Sequence, residues 1–150
     1  MPSTIPSHVY TMVALAVVGS LLVATVNSYT ASLRNTSEIE QLRKLLSQVA
    51  AKGSQLVVLA ASADLSASAS IHLPASIGAQ QYWIRACNDS SNAWIEGALG
   101  QILKEDMPNK VYLPKGTSAS GYYVSGYGPG VLEAYMNSSI PQLNLSSRGG

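Results

Sequence analysis

The sequence predicts an α+β protein in which a long N-terminal hydrophobic helix precedes a small antiparallel β-sandwich-like head. Two observations predict this class. Residues 9–32 contain no Asp, Glu, Lys or Arg and are mostly apolar. Beyond Gly53, short apolar or alternating segments are separated by turn-forming sequences. The predicted domains are residues 1–53, which form the helix, and residues 54–150, which form the β-rich head.

The first part of the predicted helix, residues 9–32, is long enough to cross a bilayer. The 18 residues from Val9 to Val26 would extend about 27 Å as a helix, close to the thickness of the hydrocarbon layer. The first eight residues, MPSTIPSH, contain neither Lys nor Arg, so the segment differs from a cleaved secretory signal. We therefore expect a retained helix that lies in lipid or packs against copies of itself.

Small residues recur along this helix at every fourth position, from Ala16 to Ser32. They fall along one side, where a second helix can approach closely. Composition alone could also produce this stripe, because Ala, Gly and Ser are frequent in the segment. The residues predicted to pack helices together in a filament core are Val13, Ala16, Val17, Ser20, Leu21, Ala24 and Ser28.

Residues 37–52 continue the helix with an amphipathic pattern. Lys52-Gly53 is typical of a helix end, and Ser37 followed by Glu40 could instead begin a second helix after a bend. Four apolar residues recur with spacings of three and four, so they would share the face that packs on the head. These head-facing residues are Ile39, Leu42, Leu46 and Val49.

The head is predicted to contain six or seven short strands. Residues 55–60 are a continuous apolar run typical of a buried strand, and residues 66–73 alternate polar and apolar side chains. Residues 80–87 and 92–96 flank a turn-forming Asn-Asp-Ser-Ser sequence and should form a hairpin. Further candidates are strands at 111–113, 121–125 and 131–136, a turn at 126–130, and a strand or helical turn at 98–106.

The composition favours an exterior protein over a nucleic-acid-binding one. Charged residues make up 11% of the chain and the formal net charge is +1, so no basic surface for nucleic acid is expected. Four Asn-x-Ser/Thr sequons are consistent with covalently attached glycans in a host that glycosylates. These candidates are Asn35, Asn88, Asn137 and Asn144.

The basic residues after the hydrophobic segment argue against an exterior location of the head. Arg34, Arg43 and Lys44 follow the hydrophobic segment, and the positive-inside rule would place that side in the cytoplasm. We give the exterior-type composition of the head more weight than these few residues.

Few groups in the sequence are suited to catalysis. The chain has no metal-ligand spacing and no Gly-rich phosphate loop, so we expect no enzyme activity, no metal and no cofactor. Cys87 could act as a nucleophile only beside His72, and a buried structural thiol is the simpler interpretation. The tyrosines at 122, 123, 127 and 135 could form an adhesive surface or the outer face of a sheet.

The order of a hydrophobic and then amphipathic helix before a short-stranded head resembles the type IV pilin-like proteins, most closely archaeal pilins and archaellin-like filament subunits. Leu73-Pro74, Ile77-Gly78 and Tyr82-Trp83-Ile84 are similar to a pattern in archaeal pilin-like heads. The resemblance implies that the helix sits in the membrane before assembly. It also implies that the helix later packs with its copies in the core of an extracellular filament, with the head outside.

The sequence departs from that family at its start. No basic leader precedes the helix, and the acid that many bacterial pilins carry near the mature N-terminus is absent, because position 5 is Ile5. These departures keep a second hypothesis open, a single-span membrane-anchored surface protein that serves a pilus or archaellum. The first expectation is a structural subunit of a helical homopolymer at the cell surface that mediates adhesion.

Overall fold

The computed structural model describes residues 5–100 and 109–148, and it begins with a long helix. Helix α1 spans Ile5–Ala63. The chain divides into two compact units, Met1–Ser37 and Glu38–Gly150. The described part of the first unit is helical, and its residues from Ser7 onward are all exposed. The second unit contains the rest of α1 and all the described strands.

Helix α1 continues past Gly53, so the domain boundary expected there falls inside the helix. The strand predicted at residues 55–60 is wrong, because this run belongs to α1. Its buried residues, Val57 and Ala60, are three apart, which is a helical spacing. A Cβ on Gly53 would lie 2.7 Å from Leu143 Cδ2, so this glycine allows close packing rather than ending the helix.

Within the described residues, seven strands form one sheet, in the spatial order β1-β6-β7-β5-β2-β3-β4. The described pairs are antiparallel except for β5 with β7, which is parallel. The predicted α+β class is confirmed, and the second layer against the sheet is α1 rather than another sheet. The strands are β1 (Ala67–Ile71), β2 (Tyr82–Asn88), β3 (Ala93–Leu99), β4 (Asn109–Tyr112), β5 (Ser118–Val124), β6 (Gly130–Asn137) and β7 (Ile140–Ser147).

The predicted hairpin is confirmed, since β2 and β3 pair from Tyr82↔Leu99 to Asn88↔Ala93. Strands β1, β4, β5 and β6 overlap the other predicted strands. Strand β7 was not predicted, and the C-terminal part of the 98–106 candidate lies outside the described residues.

The core of the second unit lies between α1 and one face of the sheet. The helix contributes buried residues from Leu42 to Ala60. Alternate residues of the strands face them, as the two-residue period of a strand requires. The largest strand side chains that are less than 2% exposed are Tyr82, Ile84, Ile95, Tyr123, Leu132, Leu143 and Leu145.

Strand β5 connects the two parts of the sheet. Its residues 118–121 pair with β7, and residues 122–124 pair with β2. Gly121 lies at the change of partner with a φ of 114°, and a Cβ there would clash with the carbonyl oxygen of Leu145. Only glycine combines this backbone conformation with this close approach at low cost.

Candidate functional site

The candidate functional site is the apolar surface of α1 in the unit Met1–Ser37. Its large apolar side chains, from Val9 to Leu33, are between 52% and 75% exposed. One helix of the described residues is long and apolar enough to cross a membrane, and none of its most apolar 18-residue window is buried. Soluble monomers rarely expose a continuous apolar surface of this extent, and such surfaces commonly mark contact sites for other proteins or for lipid.

The predicted packing residues are uncovered within the chain. Val13, Val17 and Leu21 are 56%, 52% and 62% exposed, and the small residues Ala16, Ser20, Ala24 and Ser28 are exposed as well. The small-residue stripe includes a shallow groove lined by Ala24, Thr25, Ser28, Tyr29 and Ser32. A groove between larger side chains is the shape into which the ridge of another helix packs.

Five hydroxyl groups on this surface are hydrogen-bonded to the helix itself. Thr11, Thr25, Thr30 and Thr36 each donate to the carbonyl oxygen four residues earlier, over 2.8 to 3.0 Å. Ser20 donates to the carbonyl oxygen of Val17, three residues earlier, over 2.8 Å. Because these donors do not need water, they lower the cost of placing the segment in apolar surroundings.

Two tyrosines mark the ends of the apolar segment. The helical rise between Tyr10 and Tyr29 is about 28 Å, close to the thickness of the bilayer's hydrocarbon layer. Tyrosine is enriched where membranes meet water, because its ring is apolar and its hydroxyl is polar. Both tyrosines and their spacing are visible in the sequence, so this signal is available without the structure.

The residues predicted to face the head lie in the second unit. Leu42, Leu46 and Val49 are at most 1% exposed and belong to the core, while Ile39 is half-buried. Polar contacts hold the same stretch of α1 to the sheet, since Arg43 Nε donates to Asn109 Oδ1 over 2.8 Å.

The four sequons lie in different environments. Asn35 is exposed on α1, and Asn88 and Asn137 are exposed at the ends of β2 and β6. Asn144 is half-buried inside β7, where it pairs with β5 on one side and β6 on the other. An attached glycan therefore has more free space at the three exposed sequons than at the half-buried Asn144.

A buried carboxylate on the sheet is a feature that the sequence analysis missed. Glu96 is 3% exposed on β3. Its neighbour Gly97 faces Leu46 of α1, so Glu96 lies on the opposite face of the sheet. Arg85 Nε donates to Glu96 Oε1 over 2.9 Å, and Trp94 Nε1 donates to Oε2 over 2.7 Å. The carboxylate is thus fully engaged by protein donors.

Aromatic and charged residues surround this carboxylate in register across the strands. Arg85 pairs with Glu96, and Glu96 pairs with Lys110 on β4. The Arg85 guanidinium lies 5.6 Å from the centre of the Trp83 ring, and Lys110 Nζ lies 4.8 Å from that of Trp94. Sequence alternation assigns faces but not register, so it could not reveal that Arg85 and Glu96 are neighbours.

This network controls the ionisation of its members. Burial alone would raise the pKa of Glu96, but the donors Trp94 and Arg85 outweigh burial and lower that pKa. Burial, together with the charge of Glu96, raises the pKa of the Cys87 thiol, whose Sγ is 3.6 Å from Glu96 Oε1. Cys87 is therefore protonated at neutral pH and a weak nucleophile.

The last sequence-based expectations concern a metal site and the pair His72 and Cys87. In residues 5–100 and 109–148, no three His, Cys, Asp or Glu side chains are placed to hold a metal ion. His72 is exposed just beyond β1. Comparison of the chain with protein families, curated proteins and solved structures found no match.

Proposed function

We propose that this protein is a structural subunit of a type IV pilus-like filament at the cell surface. In this filament, the N-terminal helices pack together in the core and the heads lie outside. The observation that carries the proposal is the uncovered apolar surface of α1 from Val9 to Leu33. Packing against identical helices covers such a surface without requiring a different protein.

The energy of that surface favours assembly over exposure to water. Moving one Val, Leu or Met side chain out of water is worth on the order of 2 kcal/mol. Many such side chains are uncovered between residues 9 and 33. Their combined transfer energy is comparable to the whole stability of a small domain, about 5–15 kcal/mol. Sister helices or lipid must therefore surround the segment.

Before assembly, we propose that the same segment spans the membrane. Three features suit a bilayer: the length of the segment, the hydroxyl groups that are bonded to the helix's own carbonyl groups, and the tyrosines at 10 and 29. Subunits would then leave the membrane only as neighbouring helices replace the lipid. On the filament surface, the heads would serve adhesion and carry glycans at exposed sequons.

A second candidate is a single-span membrane-anchored surface protein with its head outside the cell. The match between the apolar segment and the bilayer supports this alternative, since the segment is as long as one crossing requires. In that case the helix would stay in lipid and would need no copies of itself.

Detergent removal separates the two candidates. Purified full-length protein is dialysed out of detergent and imaged by electron microscopy. The filament proposal expects fibres of uniform diameter with helical symmetry. Monomers or small oligomers that stay dispersed only in detergent would contradict it and support the membrane anchor.

A further inference from the structure

The β6–β7 hairpin contains a two-residue turn whose backbone conformation does not suit its sequence. Asn137 pairs with Ile140, so Ser138 and Ser139 form the turn between them. Both serines have a positive φ, 49° and 71°. A hairpin turn with two positive φ values favours Asn or Asp followed by Gly, because a Cβ is disfavoured in this conformation. Glycine would therefore suit position 139 better than serine.

The sequon accounts for the serine at position 139. Asn137, Ser138 and Ser139 form an Asn-x-Ser/Thr sequon, whose third residue has to be Ser or Thr. A glycine at position 139 would suit the turn but would remove the sequon. The four sequons all lie within the described residues, and only this one has its third residue at a positive φ. A residue that breaks a local rule at a cost points to a function that needs it.

The side chains around Asn137 offer an apolar surface to a group attached there. Asn137 is exposed on β6, and Tyr135 lies on the same face of the sheet, about 7 Å along the strand. Ile140 is directly opposite Asn137 on β7, so it shares this face. Tyr135 and Ile140 are 41% and 49% exposed. At the other three sequons, the residue two positions before the asparagine is not aromatic.

We propose that Asn137 carries an N-linked glycan whose first sugar packs on the ring of Tyr135 and against Ile140. A sugar ring presents C–H groups on its faces, and these groups pack on aromatic and aliphatic side chains as other apolar groups do. The inference rests on the proposed function, because it needs a head outside the cell that carries glycans. It adds which asparagine is modified and which side chains the glycan contacts.

The attachment is a displacement at C1 of the first sugar of a lipid-linked oligosaccharide. Nδ2 of Asn137 forms a bond to C1 while the bond between C1 and the phosphate oxygen breaks. Nδ2 loses one proton, and the lipid phosphate leaves with the electron pair of the broken bond. The donor and the enzyme that transfers it belong to the host cell.

Mass spectrometry of the full-length protein tests the modification. The protein is produced in a glycosylating host and purified in detergent as dispersed subunits. The peptide that contains Asn137 should carry a glycan, and both Asn137→Gln and Ser139→Ala should remove it. An unmodified Asn137, in cells that modify a reference glycoprotein, would overturn the proposal.

Urea unfolding of the same preparations tests the contact with Tyr135. The glycan at Asn137 should lower the unfolding equilibrium constant about two- to tenfold relative to Asn137→Gln. This effect should persist in Tyr135→Phe, which keeps a ring, and disappear in Tyr135→Ser. The control is Tyr127→Ser, which changes a 63% exposed tyrosine before the opposite end of β6 and should leave the effect of the glycan unchanged. An equal effect in Tyr135→Ser would refute packing on the ring.

Ser139→Gly tests why serine occupies the turn. In unglycosylated protein, this substitution should lower the unfolding equilibrium constant about two- to fivefold, because glycine tolerates a positive φ. Unchanged or lower stability would contradict the cost assigned to Ser139. These assays use dispersed subunits, so a missing glycan would leave the filament proposal intact, and failure of fibres to form would leave this one intact.

Discussion

At the scale of single residues, the buried carboxylate of Glu96 is the shared partner of side chains from three strands, β2, β3 and β4. It receives donors from β2 and from its own strand, and Lys110 Nζ on β4 lies 3.9 Å from Oε2. Removing the carboxylate would leave Arg85 without its anion and the indole N–H of Trp94 without a charged acceptor. Breaking such a partly buried pair costs more than losing an exposed one.

We expect Glu96→Gln to destabilise the head by about 1–3 kcal/mol at neutral pH. Because the folded pKa of Glu96 is lowered, its contribution is present above the unfolded pKa of about 4.3 and is lost as pH falls through the folded pKa. Urea unfolding of the detergent-solubilised protein between about pH 3 and 7 measures both effects.

The matched control is Glu133→Gln, which changes an exposed carboxylate on β6. We expect it to alter stability by less than about 0.5 kcal/mol. Equal effects of the two substitutions, or an unchanged acid dependence in Glu96→Gln, would contradict the role assigned to Glu96.

At the scale of elements, β5 depends on one glycine at its change of partner. Gly121→Ala places a Cβ against the backbone of Leu145 and also strains a positive φ. Gly116→Ala strains a φ of 80° but meets no atom within 4 Å, so it isolates the conformational cost. We expect about 1 kcal/mol for Gly116→Ala, and about 3 kcal/mol or loss of folding for Gly121→Ala.

Thermal unfolding followed by circular dichroism compares the two glycine variants. The difference between their melting temperatures measures the cost of the close approach of β5 and β7, because both variants carry the strain of a positive φ. Similar melting temperatures for both would show that the two strands can separate at this point without cost.

The small-residue stripe of α1 offers a second comparison between matched variants. Ala16 lies on the stripe, and Ala14, two residues earlier, faces nearly the opposite side of the helix. A Leu at Ala16 should obstruct close helix packing, at a cost of about 1–3 kcal/mol per contact. We expect Ala16→Leu, and likewise Ala24→Leu, to reduce fibre yield at least tenfold, while Ala14→Leu assembles normally.

Quantitative electron microscopy after detergent removal provides the fibre yield of each variant. Equal assembly of all three Leu variants would mean that the stripe reflects composition alone. Loss of assembly in Ala14→Leu as well would mean that helices pack on every side rather than along one face.

Local patterns predicted some elements and not others, for physical reasons. The spacing of Leu42, Leu46 and Val49 revealed the buried face of α1, because helical periodicity is a local property. The hairpin of β2 and β3 followed from its turn sequence. The run at residues 55–60 was wrongly predicted as a strand, because a short apolar run fits a strand or a helix. Gly53 supported that prediction because glycine often ends a helix, but here it allows close packing against Leu143.

The sequence predicted some functional features of the protein and missed others. The apolar segment was evident because its signal is continuous in sequence. The Glu96 network was not, because it joins residues from strands whose register depends on long-range pairing. Strand β7 was not predicted because only two of its residues, Leu143 and Leu145, are buried. Two apolar residues are too few to give a clear alternating pattern.

At the scale of the whole molecule, the division into two units predicts that the second unit folds alone. Its core is formed entirely by residues from Leu42 to Leu145. We expect a protein lacking residues 1–37 to be monomeric without detergent and to unfold cooperatively, because the uncovered apolar surface is gone. It should also fail to join fibres of the full-length protein.

Analytical ultracentrifugation and thermal unfolding of this shortened protein check the expectation. An aggregated or unfolded product would mean that the head needs the N-terminal segment for stability. Co-assembly with full-length fibres would mean that contacts between heads, and not between helices, hold the filament together.

The place of β7 in the sheet governs when the head can be completed. This strand is the last of the described strands in sequence, yet it lies between β6 and β5 and links them. A chain in which β7 has not yet been synthesised can form the β2–β3 hairpin, but its strands β1 and β6 cannot yet join the sheet that contains β5 and β2. The sheet can therefore be completed only after β7 has been synthesised, and a chain that stopped before Ile140 would leave β1 and β6 without their link to β5.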